Sequence, residues 1–84
     1  MQNDLEKLKN IGPKTAHALA AVGIADEAAL RKVGPVEAWR RLKAAAPKET
    51  SLVGLYAIYG ALVDVHWNDL PAELKAELKK EALT

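Results

Sequence analysis

No cysteine occurs anywhere in the 84 residues, which removes disulfides, thiolate metal sites and cysteine nucleophiles in one step. Phenylalanine is missing too, and the β-branched residues never alternate with polar ones over a useful length, so strands are not expected. Histidine is scarce. His17 and His66 stand far apart without metal-ligand spacing, and no Ser-His-Asp set is suggested. Neither a catalytic residue nor a metal or other cofactor is therefore expected, and the chain reads as no enzyme. No run of about 18 apolar residues is present to span a bilayer. The start, with Gln2, Asn3 and Asp4, is unlike a secretion signal. The expectation is a soluble, cytoplasmic domain with no membrane partner.

What remains is enough for one domain, residues 1–84, near the lower end of what buries a self-sufficient core. Half the residues are apolar. The net charge of +1 conceals an asymmetry: up to Lys48 nine Lys/Arg face five acids (+4), and from Glu49 onward three Lys face six acids (−3). A basic front half is a reason to look for an anionic partner there.

The chain divides into six short helical segments, an all-α bundle. Residues 4–9 pair Leu5 with Leu8, and Gly12 breaks that segment. Pro13 suits the first position of a second helix reaching about Val22, and Gly23 suits its left-handed C-terminal cap. Asp26 caps a third helix over 27–33, which Gly34 stops. Pro35 starts a fourth over 35–46, ended by Pro47. Thr50 or Ser51 caps a fifth reaching about Val65, and Asn68 or Asp69 caps a sixth, with Pro71 near its first turn and Leu70, Leu74 and Leu78 spaced by four.

The fifth segment, SLVGLYAIYGALVDV, is apolar on nearly every face and so reads as the enclosed central post; a dimer seam is the alternative. Gly54 and Gly60 each weaken a helix interior by about 1 kcal/mol, and close approach of a neighbouring backbone would compensate. Glu73, Glu77 and Glu81, with Lys75, Lys79 and Lys80, read as a solvated face of the sixth helix. Trp39 and Trp67 read as core or partial-core residues, His66-Trp67 as a packed corner and His17 as exposed.

An internal repeat stands out. Leu8-x-x-Ile11-Gly12-Pro13-x-x-Ala16 matches Leu30-x-x-Val33-Gly34-Pro35-x-x-Ala38 at an offset of 22, two copies of helix, tight Gly-Pro turn, helix. In the first copy the turn opens a helix, where unpaired N–H groups and the positive end of the dipole favour an anion. Gly12 permits close approach to the backbone, Lys14 adds charge, Thr15 adds a hydroxyl, and Lys7 and Lys9 lie just before. Such a device reads phosphate and not bases. The plain alternative is punctuation between two helices. The second copy carries Val36-Glu37 instead; its carboxylate satisfies the dipole internally and repels phosphate, so this copy reads as structural. Arg31, Lys32, Arg40 and Arg41, with Lys43, are candidate auxiliary contacts to DNA.

LKNIGPKTAHALAAVGI resembles the helix-hairpin-helix motif. The longer string through the second Gly-Pro, with SLVGLYAIYGALVDVHWNDLP, resembles the C-terminal domain of the TfoX/Sxy family, bacterial regulators of natural competence, over roughly Leu5 to Leu78. The resemblance implies a helix-hairpin-helix-like fold and a role in transcription or DNA handling, in which Gly12, Lys14 and Thr15, with Lys9, would contact the phosphates of duplex DNA, weakly and without base preference. The N-terminal domain of full-length family members has no counterpart in these residues. The usual motif has a second glycine in its turn; here Asn10 stands in, a residue able to adopt the left-handed conformation. The other reading is a protein-interaction module whose partner is a transcription factor, RNA polymerase or a second copy of the chain.

Overall fold

In the computed structural model, which describes residues 4–84, the punctuation read above falls where glycine and proline place it. Gln2 and Asn3, read as part of a polar start, lie outside the described residues. Five α-helices form: α1 Pro13–Ala21, α2 Glu27–Val33, α3 Pro35–Ala45, α4 Leu52–Val63 and α5 Ala72–Ala82. Short 3-10 turns at Asp4–Lys7 and Trp67–Asp69 complete the chain, and no strand occurs among the described residues.

Local chemistry accounts for most boundaries. Pro13 and Pro35 open α1 and α3, where the missing N–H costs nothing. The end of α1 is a Schellman motif: Gly23 N–H donates to Ala20 O (3.1 Å) and Ile24 N–H to Leu19 O (2.9 Å), with Ile24 and Leu19 both buried beside each other's backbone. Asp26 accepts from Ala29 N–H at 2.8 Å and caps α2. Asp4 reinforces that end from outside, taking the Glu27 N–H at 3.2 Å. That bond and Lys7 beside it hold the Asp4 carboxyl below its ordinary value of 3.8.

Three boundaries differ from expectation. Residues 4–9 make only a 3-10 turn over Asp4–Lys7, because a segment this short cannot repay α-helix nucleation. Ser51 is the N-cap residue of α4, yet neither it nor Thr50 caps that helix through its side chain; the Thr50 hydroxyl instead donates back to Leu42 O at 3.1 Å. The corner before α5 is likewise a 3-10 turn. Its cap is His66, whose Nδ1 accepts from Asn68 N–H, and α5 begins only after Pro71. Leu70, expected on the last helix, is buried just ahead of it.

α4 contributes Leu55, Ile58 and Ala61 to the core, but it shares the centre with α3. α3 packs against all four other α-helices, whereas α4 packs chiefly on α3, α5 and the second 3-10 turn. α3 can serve as hub because it is amphipathic: Ala38, Trp39 and Leu42 are buried, while its arginines reach outward to neighbours. Trp39 donates from Nε1 to Ser51 O at 2.8 Å and lies in ordinary contact with Gly54. The ends of α4 are open, with Val53 43% and Val63 45% exposed.

Candidate nucleic-acid interface

The first hairpin turn hangs from two apolar pegs. Leu5 and Ile11 are buried, and Ile11 N–H donates to Leu8 O across the turn. Between them the chain reverses at Asn10, whose φ of 71° is left-handed. The substitution of asparagine for the motif's second glycine is thus accommodated as expected, and its side chain does more. The Asn10 carboxamide donates from Nδ2 to Val65 O (2.9 Å) and Ala57 O (3.3 Å), and its Oδ1 accepts from Trp67 N–H (3.3 Å). The turn is therefore tied to the end of α4 and the corner beyond it. Gly60 makes room: a Cβ there would stand 2.6 Å from Asn10 Nδ2 and closer still to the Val65 carbonyl. The expected close backbone approach at Gly60 is present, and a side chain 50 positions away shares it.

Beyond Asn10 the backbone emerges. Gly12, Pro13 and Lys14 are exposed and Thr15 is half-buried. The first turn of α1 has no side-chain cap and no acidic residue. Pro13 has no N–H, and Ala16 N–H is taken by Gly12 O at 3.0 Å, which leaves the Lys14 and Thr15 N–H groups without an acceptor among the described residues. No hydrogen bond or ion pair engages the side chains of Lys9, Lys14 or Lys32 among the described residues.

Gly12 and Gly34, equivalent in the repeat, differ in what the fold asks of them. Gly34 has φ 88° and ψ 159°, a region that is essentially glycine-only. Gly12 has φ −95°, open to any residue, and a Cβ on it would meet nothing within 4 Å. The second turn needs its glycine to fold; the first does not. Glu37, in the first turn of α3, pairs with Arg41 at 3.2 Å.

The remaining candidate cations are occupied. Arg31 pairs with Glu27 (2.7 Å) and donates to Leu62 O (3.2 Å). Arg40 donates to Glu81 O (2.6 Å) and Ala82 O (3.3 Å), and Arg41 to Val22 O at 3.4 Å. Each arginine thus reaches a carbonyl at or beside the C-terminus of another helix: α4, α5 or α1. Lys43 does the same for the α3–α4 loop, through Pro47 O and Thr50 O. Lys75, expected on a solvated face, is half-buried with Nζ 5.8 Å from the Tyr56 ring centre and 5.3 Å from that of Trp67.

Sequence reading did not find the groove of about 410 Å³ behind the turn, where Lys14, Thr15 and Ala18 of α1 face Ala45 and Ala46 beyond Leu42 and the N-cap of α4 at Ser51. Its walls are mostly small residues scattered along the chain, and no spacing announces them. No group of three or more His, Asp or Glu placed to hold a metal ion occurs among the described residues, and none of their helices is long and apolar enough to cross a membrane.

Residues 1–82 match one family, the TfoX C-terminal domain. The chain belongs to that family. Two solved structures share the fold of this TfoX C-terminal domain, both from Listeria monocytogenes. One, a triclinic crystal form described as an uncharacterized protein, has a TM-score of 0.86 and 33% identity, over 96% of this chain and 90% of that one. The other, a tetragonal form described as a protein of unknown function, has a TM-score of 0.85 and 33% identity, over 94% and 95% of the two chains. No curated protein matches.

Proposed function

We propose that this TfoX C-terminal domain is a non-catalytic, cytoplasmic accessory to transcription, of competence-regulator type, that holds the phosphate backbone of duplex DNA through its first hairpin. Gly12 admits the phosphate to the backbone, the N–H groups of Lys14 and Thr15 receive it, and Lys14, Lys9 and the Thr15 hydroxyl supply charge and a further donor. One observation carries this reading: Gly12 is a glycine with neither a dihedral nor a steric need to be one. Its missing side chain serves something outside the fold, and no described residue pairs with the side chains of Lys9 and Lys14 beside it. The second hairpin is built for stability, so a single turn makes the contact and binding is weak and indifferent to sequence.

A second reading rests on a different observation. With Arg31, Arg40 and Arg41 committed to carbonyls, the basic face is thinner than the sequence implies, and the alanine-lined groove adjoining Lys14 favours a protein partner, a transcription-related protein or a second copy of the chain, with no DNA contact.

Fluorescence anisotropy with a short labelled duplex, in a salt series and beside Lys14→Glu, separates the two. The DNA reading expects binding that weakens with salt and drops at least tenfold in Lys14→Glu. Absence of binding at low salt, or equal binding by Lys14→Glu, refutes it and leaves the protein-partner reading.

A further inference from the structure

We infer that Asn10 is a positioning residue for the phosphate-binding turn, acting through its side chain on a backbone it does not itself expose to the ligand; this rests on the DNA reading above. Asparagine could serve here merely because it tolerates a left-handed φ. The geometry asks more of it. Glycine would meet the dihedral requirement with less strain, yet the carboxamide fills three of its four hydrogen-bonding positions with groups 47, 55 and 57 residues away. Both of its donors and one acceptor site are committed, in a sense that a flipped amide could not satisfy, because the NH₂ would then face the Trp67 N–H.

Those three partners belong to one rigid corner. Ala57 lies within α4. Val65 follows the left-handed Asp64 that ends the helix, and its own N–H returns to Gly60 O at 2.9 Å. Trp67 opens the second 3-10 turn, with Lys75 over its ring. The corner is thus fixed on several sides, and Asn10 transmits that rigidity to a turn whose nearer anchors are the buried Leu5 and Ile11 and the Ile11 N–H bond to Leu8 O. Apolar pegs set depth but not rotation. The three directional bonds set rotation, and so the bearing of residues 12–15, which begin two positions further on. Pre-organised donors bind better because less freedom is lost on binding.

The test is Asn10→Gly, which keeps the left-handed conformation accessible, leaves every charge in place and deletes the carboxamide. Its DNA affinity is measured well below its melting temperature, where loss of stability alone leaves the protein folded and the affinity unmoved. The expected result is a folded variant, by far-UV circular dichroism, that binds the duplex about tenfold more weakly than wild type. In ¹⁵N-labelled protein without DNA, the amide resonances of Lys14 and Thr15 move together with those of Val65 and Trp67. Equal affinity at equal folded fraction overturns the inference while the DNA reading stands. If wild type itself binds no DNA, the functional reading falls separately, and unmoved Lys14 and Thr15 resonances then overturn the positioning role as well. Should Asn10→Gly not fold, Asn10→Ser, which retains one donor, takes its place with the same two measurements.

Discussion

Two glycines at matching places in a repeat are under different constraints, and single substitutions separate them. Gly12→Ala places a methyl group into open space at an ordinary φ. Stability is expected to stay level or rise by about 0.4–1 kcal/mol, since alanine narrows the unfolded ensemble, while on the proposed DNA reading affinity for the duplex is expected to fall, because the methyl group would stand in the path of the phosphate. Gly34→Ala forces a side chain to φ 88° and is expected to lower stability by about 1–3 kcal/mol, with duplex affinity unchanged for the folded protein. Urea unfolding and anisotropy on the same two proteins check both statements. A stability loss in Gly12→Ala comparable to that in Gly34→Ala would mean the first glycine is structural after all.

Helix ends, more than helix faces, hold the elements in place. The arginines on α2 and α3 are staples: each guanidinium crosses to a neighbouring helix and takes carbonyls that its last turn leaves unpaired, where a positive charge also suits the dipole. Replacing Arg40 with methionine keeps the apolar stem and removes both bonds to the end of α5. The expected cost is about 1 kcal/mol, below what charge-assisted bonds usually contribute because Arg40 is exposed. Amide exchange should quicken in Leu78–Ala82 first, and uniform acceleration across all helices would contradict a local staple. Much at this scale was legible beforehand, since Gly-Pro, Asp26 and Gly23 state their roles within a few residues. The arginine staples were not, because a carbonyl acceptor has no residue identity to read, and Arg40 looks the same whether it meets phosphate or Ala82 O. The tie from Asn10 to Val65 and Trp67 was hidden for the same reason: asparagine's local tolerance was evident and its distant partners were not. Residues 4–9 misled because two leucines three apart suit a 3-10 turn as well as an α-helix.

For the molecule as a whole, the proposed DNA contact is small despite the basic front half of the sequence. Of the nine Lys/Arg up to Lys48, only Lys9 and Lys14 flank the open turn without a partner among the described residues, and a one-turn interface would neutralise about two phosphates. The logarithm of the binding constant should then fall against the logarithm of salt concentration with a slope near −2, at about −0.9 per phosphate. A slope of −4 or steeper would mean that Arg31, Arg40 and Arg41 leave their carbonyls and join in, enlarging the footprint to both hairpins.

The placement of the two indoles has a practical use. Trp39 is 3% exposed with its N–H engaged by Ser51, so a neutral collisional quencher such as acrylamide reaches it only when the bundle opens. Trp67 is half-buried at the surface corner to which Asn10 ties the first turn. Intrinsic emission therefore divides into an inner lamp that reports global unfolding and an outer one that reports the corner, and the protein needs no attached dye for the two to be followed in one cuvette.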